Sequence, residues 1–367
     1  MKRLLCLLSN MNAGGAETFL MKIYRKIDRS RYQLDFCVNS KERCFYEPEI
    51  EALGGRIYRI PSKSENLKMF QEKLRLIITE NKYQYVLRIT ANAAGLMDLK
   101  IAKRSGAKVC VARSSNSNSE EGLKNKIAHF LGKLLYLRYV DIGIAPSKLA
   151  AEYTFGKMSV RRKKISIIHN ALDTDIYEYS KLGRKCIREE FNISDDDIVV
   201  GNIGRFMVQK NHKFIIDVFE QVHKKNSNTY LMLVGNGELE NEIRDKVSKK
   251  GLQKFVIFTG VRSDIPKILS SMDVLLMPSL YEGMPNTVIE AQATGLPCVI
   301  SDTITREADI TGLVKYVPLS QSYEVWGDSV LTSISNSRLN TRKNFTENNY
   351  DIDSVSKQFV QIVFGDR

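Results

Sequence analysis

Glu282 and Glu290 are separated by seven residues in the stretch Pro278-Ser279-Leu280-Tyr281-Glu282-Gly283-Met284-Pro285-Asn286-Thr287-Val288-Ile289-Glu290-Ala291. Pro285 and Asn286 mark a helix start, because proline in a first turn forfeits no hydrogen bond. The backbone N–H groups of Met284, Asn286, Thr287 and Val288 can then face one anion, which the helix dipole also favours. Glu282 falls in the loop before this helix, and Glu290 about one turn into it, towards the same pocket. A carboxylate there suits a diol such as a ribose, since it accepts two hydroxyl hydrogens. A capped helix with incidental acids is the plainer reading of the same residues.

Two more sets stand where strands should end. Gly201-Asn202-Ile203-Gly204-Arg205 is followed by Gln209-Lys210-Asn211-His212. Arg205 and Lys210 can neutralise a diphosphate, one as a planar fork and the other as a point charge; otherwise they are solvated loop cations. Near the N-terminus, Asn12-Ala13-Gly14-Gly15-Ala16-Glu17-Thr18 leads into a helix. Gly14 and Gly15 let a ligand approach the backbone, or serve only the geometry of the turn. The pattern is not G-x-G-x-x-G, which weakens the case for a dinucleotide enzyme. Asp173-Thr174-Asp175 and Asp351-Ile352-Asp353 imitate metal-binding triplets, but a turn and a helix N-cap explain them. The four histidines lack metal-ligand spacing, so no metal is expected.

The elements that must position these residues alternate. Apolar runs predict strands near 3–8, 33–38, 56–60, 85–89, 108–112, 141–145 and 165–168, then near 198–203, 229–234, 255–259, 273–277, 297–300 and 314–317. Helical spacing fills the intervals, for example at 15–27, 66–81, 119–138, 211–225 and 238–250. That alternation is the signature of parallel α/β folds. It restarts after a polar interval from Asn170 to Asp197, so two doubly wound units are expected: 1–173, then 174–349. A helix at 350–367, with Val355, Phe359, Ile362 and Val363 at helical spacing, follows a polar stretch long enough to return to the first unit.

Composition limits the compartment and the partners. The opening Met1 to Leu8 imitates a signal peptide, but Ser9-Asn10-Met11-Asn12 ends the apolar run and no cleavage pattern follows, so it reads as a strand. Six cysteines without a C-x-x-C pair suit a reducing compartment. Of the net charge of +13, residues 1–170 hold 32 Lys and Arg against 15 Asp and Glu, while the remainder holds 23 against 27. The basic first half points to a polyanionic surface. Nucleic acid is the weaker candidate, because no recognisable nucleic-acid-binding motif is present.

Gly14-Gly15-Ala16-Glu17, Arg205 with Lys210, Gly235-Asn236-Gly237, Gly260-Val261 and the acidic stretch, in that order, resemble the retaining GT-B glycosyltransferases of family 4. The resemblance covers essentially the whole chain and is closest to members that build bacterial capsular, exopolysaccharide or O-antigen chains. It implies an α/β GT-B fold of two Rossmann-like domains facing each other across a cleft, with the C-terminal helix crossing back to the first. It implies a nucleotide-diphosphate sugar as donor (a UDP-sugar favoured), a saccharide or lipid-linked acceptor, retention of anomeric configuration and no metal. Gly14 and Gly15 would lie by the donor diphosphate, and Arg205 and Lys210 would oppose the charge growing on it as it departs. Glu282 would contact the transferred sugar. Gly235, Gly283, Met284, Asn286, Thr287 and Val288 would line the donor site, Glu290 would hold the ribose, and the backbone at Val261 and Arg262 would receive the base. Where relatives often read Ala-His-Ser-His-Asn, this chain has Ala112-Arg113-Ser114-Ser115-Asn116, so Arg113, Ser115 and Asn116 are the candidate sugar or acceptor contacts. A nucleotide-sugar epimerase of the same fold, or a non-catalytic nucleotide-sugar-binding partner, are the competing readings.

One basic stretch remains. From Gly122 to Arg138, Leu123, Ile127, Phe130, Leu131, Leu134 and Leu135 share a helical side, flanked by Lys124, Lys126, Lys133 and Arg138. It is either a core helix or a contact with an anionic membrane. Arg161-Arg162-Lys163-Lys164 would extend the latter. The localisation expected is cytoplasmic, at the inner face of the cell membrane if that contact forms.

Overall fold

The computed structural model describes residues 1–12, 14–115, 123–161, 165–282, 284–334 and 337–366. The chain forms two compact units, Met1–Ala171 with Asn349–Arg367, and Leu172–Asn348. Among the described residues the first holds seven strands, β1 (Lys2–Leu7), β2 (Tyr32–Val38), β3 (Ile57–Arg59), β4 (Tyr85–Thr90), β5 (Val109–Ser114), β6 (Ile142–Ala145) and β7 (Ile165–Ile167). The second holds β8 (Ile198–Ile203), β9 (Thr229–Val234), β10 (Val256–Gly260), β11 (Val274–Met277), β12 (Cys298–Ser301) and β13 (Val314–Val317).

Both sheets are parallel, ordered β3-β2-β1-β4-β5-β6-β7 and β10-β9-β8-β11-β12-β13. This is the doubly wound order in which the chain first moves one way from its first strand and then the other. Strands covered by helices on both faces need continuous apolar runs, which Val-Leu-Leu-Met of β11 and Cys-Val-Ile-Ser of β12 supply; every residue of both is buried.

Helix Ile352–Phe364 is capped by Asp351, whose carboxylate accepts the Ser354 N–H at 2.9 Å. It belongs to the first unit. Val355, Phe359 and Val363 join the core made by Leu4, Phe19, Leu20 and Ile23. The Phe359 ring meets Phe19 edge-on at 6.3 Å, and Phe364 packs between Tyr32 and Tyr85 at 4.8 and 5.1 Å. The polar stretch before it is more than the connection its composition predicts. Arg338 donates to the carbonyls of Leu269, Met272 and Thr294, and Phe345 is fully buried in a short helix, Arg342–Glu347. One apolar residue in a polar run carries no periodicity, so only tertiary packing makes this helix.

Truncating Phe359 to Ala removes an aromatic anchor shared by two distant parts of the chain. It should cost about 3–5 kcal/mol, read as a lower midpoint of urea unfolding. An unchanged midpoint would mean that the C-terminal helix contributes nothing to the unit.

Candidate active site

In the second unit β8 and β11 are neighbours, with Val200 beside Val274 and Gly201 beside Leu275. They flank the point where strand order reverses, and open α/β sheets bind ligands at the carboxyl ends there. Arg205 and Lys210 leave β8, and Glu282 leaves β11. The fold therefore gathers three of the expected residues at one sheet edge.

The loops that carry them are stitched together. The Leu280 N–H donates to the Gln209 carbonyl at 2.9 Å, and the Gln209 amide returns a bond to the Tyr281 carbonyl at 2.9 Å. Asn211, in left-handed conformation at φ 56°, donates to the Pro278 carbonyl at 3.2 Å. Ser301 and Thr303 hydroxyls hold the Ser279 carbonyl at 2.5 and 3.0 Å. The result is a close ion pair, Lys210 Nζ to Glu282 Oε1 at 2.6 Å, with side chains only 17% and 10% exposed. Arg205 differs: it is exposed and has no ion pair or side-chain hydrogen bond among the described residues.

Glycine sets the shape beneath Arg205. The Phe206 N–H donates to the Asn236 carbonyl at 2.8 Å, and a Cβ on Gly237 would stand 2.6 Å from the Phe206 nitrogen. Gly235 sits at φ +133°, where a Cβ would also lie 3.0 Å from the Gly204 carbonyl carbon. Gly235 thus serves the approach of two loops. Behind them Phe206 packs edge-on against His212 at 4.6 Å. His212 is buried with neither ring nitrogen partnered, and burial followed by the nearby Lys210 charge lowers its pKa to about 4, so it is neutral. The sequence places His212 beside Lys210 but does not show that its ring is buried.

The helix after Glu282 runs Asn286–Ala293, with Pro285 as an N-cap lacking any side-chain hydrogen bond. Here one expectation fails. The Val288 N–H donates to the Pro285 carbonyl at 3.0 Å, because an uncapped first turn tightens to satisfy itself. Thr287, one residue earlier, has no intrahelical acceptor. Glu290 is half-buried and meets the Tyr177 hydroxyl; burial first, and then this carboxylate, push the Tyr177 phenol well above its usual range. Tyr177 is a partner that sequence spacing could not supply, since it lies in the turn after Asp173. Val261, just past the left-handed Gly260, is 72% exposed. The Arg262 guanidinium is engaged by Glu190 and Asp264 at 2.5–2.9 Å.

In the first unit Gly14 is the N-cap of helix Gly15–Lys26 and brings no side chain to cap its first turn. The Glu17 carboxyl carbon would lie 3.2 Å from a Cβ on Gly14, and burial raises the Glu17 pKa. Arg113 departs from the expected ligand contact. Its side chain is 1% exposed, stacks at 3.8 Å on the Phe19 ring and donates to Asn170 at 2.7 Å. Its Nε has no partner, and desolvation lowers its pKa to about 9. Packing has turned it into the unit instead of outwards. Ser115 is half-buried at the end of β5, its N–H held by the Thr90 carbonyl at 3.0 Å. Asn116 and Gly283 lie outside the described residues.

Among the described residues no cluster of three His, Cys, Asp or Glu is placed to hold a metal ion. The Asp173 carboxylate accepts the Asp175 N–H at 3.2 Å, as a turn requires, while Asp351 is the N-cap noted above.

Comparison with known proteins identifies the arrangement. Residues 13–176 match the model for Glycosyltransferase Family 4, and 183–351 match that for Glycosyl transferases group 1. EpsF of Bacillus subtilis, named as a glycosyltransferase, is 33% identical over 334 residues, covering 90% of this chain and 87% of its own. The chain belongs to the family 4 glycosyltransferases. This glycosyltransferase is also 27% identical over 264 residues to the UDP-Gal:alpha-D-GlcNAc-diphosphoundecaprenol alpha-1,3-galactosyltransferase of Escherichia coli, covering 67% of this chain and 66% of that one. Among solved structures, HepE of Anabaena in complex with UDP-glucose superposes with a TM-score of 0.78 at 19% identity over 100% of both chains. That likeness is one of fold, the GT-B pairing of two Rossmann-like domains.

In this glycosyltransferase Gly237 should not tolerate a methyl group. Gly237→Ala drives a Cβ into rigid backbone at Phe206 and should destabilise the second unit by about 1–3 kcal/mol, seen as a lowered melting temperature. A melting temperature equal to the parent's would show that the two loops are free to part.

Proposed function

We propose that this glycosyltransferase transfers a sugar from a UDP-sugar to a saccharide or lipid-linked acceptor, with retention and without a metal. The setting proposed is bacterial surface polysaccharide synthesis at the cytoplasmic, anionic face of the membrane. The observation that carries the donor reading is the uncommitted Arg205 beside the Lys210–Glu282 pair at the switch point of the second sheet. The donor named for the Escherichia coli relative, its diphosphoundecaprenol acceptor and the UDP-glucose held by the Anabaena structure support it.

Breaking the anomeric C–O bond leaves its electron pair on the diphosphate, while the acceptor hydroxyl adds to the sugar and passes its proton to an oxygen of the departing diphosphate. Negative charge therefore grows on the departing group. Arg205 opposes it with an unpaired positive charge, Lys210 with a cation that Glu282 already holds in place, and the N–H of Thr287 with an oriented dipole; groups held in place beforehand need no rearrangement as the charge appears. Glu282, held by Lys210, is positioned to accept hydroxyl hydrogens of the transferred sugar. Glu290, presented by Tyr177, takes the ribose diol, and the exposed Val261 with the Arg262 backbone borders the base.

Arg205→Ala should lower transfer about 10²–10³-fold with an unchanged melting temperature. Glu290→Ala should raise the donor KM, and undiminished donor affinity in that enzyme would remove the ribose assignment. UDP-sugars should raise the melting temperature in a panel of nucleotide sugars; a panel without any stabilising member would end the donor reading. Activity should persist in excess EDTA, and the product anomer, read by NMR, should match that of the donor. Loss of activity in EDTA that Mg²⁺ restores would refute metal independence.

A further inference from the structure

Helix Leu123–Tyr136 faces the opposite way from an ordinary surface helix. A soluble helix turns its apolar stripe to the core and its polar side to water. In this one the protein-facing side is small or polar. Gly132 lies so close to the 93–96 turn that a Cβ would stand 2.6 Å from the Ala94 nitrogen. His129 accepts the Ala93 N–H at 3.0 Å and stacks on Tyr153 at 4.3 Å, tying the helix to its neighbour Lys148–Phe155. The apolar side faces out. Phe130 and Leu134 are 66% and 69% exposed, and Ile127, Leu131 and Leu135 are exposed beside them. At 3.6 residues per turn these five span an arc of about 140°. Leu149 and Met158 on the following helices are exposed as well.

Charge says what covers this face. Between residues 123 and 161 there are seven cations, Lys124, Lys126, Lys133, Arg138, Lys148, Lys157 and Arg161, against two acids, Asp141 and Glu152. Asp141 is already paired with Lys103 at 2.7 Å. Lys124, Lys126 and Arg138 are exposed around the apolar arc. A second copy docked on the same patch would bring two such cation sets together, which an isologous interface cannot relieve. A bilayer with anionic headgroups satisfies both halves, taking the apolar arc into the acyl boundary and the cations at the phosphates. Gly122 and the basic run Arg162-Lys163-Lys164 lie outside the described residues and are not needed for this.

We propose that helix Leu123–Tyr136 is the membrane-docking element, with Ile127, Phe130 and Leu134 inserted and Lys124, Lys126 and Arg138 at the headgroups. The inference deepens the membrane contact proposed above and rests on it, while the donor chemistry stands separately. Co-sedimentation of the full chain with phosphatidylcholine vesicles, with and without phosphatidylglycerol, tests it. The parent should pellet with the anionic vesicles at low salt, and about tenfold less with neutral vesicles or at high salt. Phe130→Glu with Leu134→Glu should lower anionic binding about tenfold or more, and Lys124→Glu with Lys126→Glu should do so by charge alone. Both double variants should keep the UDP-induced thermal shift of the parent. Loss of that shift in the parent would strike the donor reading and leave docking standing. Docking is overturned if the parent ignores anionic vesicles at low salt, or if the Glu variants pellet as well as the parent. It is equally overturned if sedimentation velocity shows a dimer that Phe130→Glu with Leu134→Glu breaks while vesicle binding stays the same.

Discussion

The reversal of strand order between β8 and β11 is the constraint on which the second unit turns. Adjacent parallel strands send their connections to opposite faces, so nothing in the sheet fills the space above their carboxyl ends. The loops of the candidate site line that space with backbone. Gly204, Gly235 and Gly237 let two loops touch without side chains between them, and Phe206 anchors them beneath. Arg205 is left outside with its charge unspent.

The Lys210–Glu282 pair shows why the site needs such scaffolding. Two charges withdrawn from water stabilise a protein only where geometry is good, and removing one strands the other. Pairing keeps Lys210 in one place and aims Glu282, while its charge is largely cancelled at rest. Neutral His212, packed edge-on against Phe206 near the lysine, adds bulk without a second positive charge. Arg113 in the first unit is the opposite case, a guanidinium packed on an aromatic ring with an amide for its hydrogen-bond partner.

The strands were legible because a sheet covered on both sides demands apolar runs, and each of the thirteen falls within two residues of its predicted place. The gathering of Arg205, Lys210 and Glu282 could be anticipated from strand ends alone. What could not be read depends on contacts between distant residues. Tyr177 reaches Glu290 from a turn far away in the chain, and Arg113 turned inward because Phe19 offered a ring. The Val288 N–H was lost to a local tightening of the helix that residue types do not reveal. Periodicity in Leu123–Tyr136 defined a stripe but not which way it faced; the fit of Gly132 against the 93–96 turn decided that. Short helices such as Ile265–Ser271 carry too few turns to show a period at all.

The first unit is discontinuous: its core is closed by Val355, Phe359 and Val363. On the ribosome, Leu4, Phe19 and Ile23 must therefore wait with an incomplete apolar surface until the entire second unit has been made. Order of synthesis and order of completion are reversed, the half that begins last being the first able to finish. During that interval the emerging chain has an unsealed greasy groove that a holding chaperone would recognise.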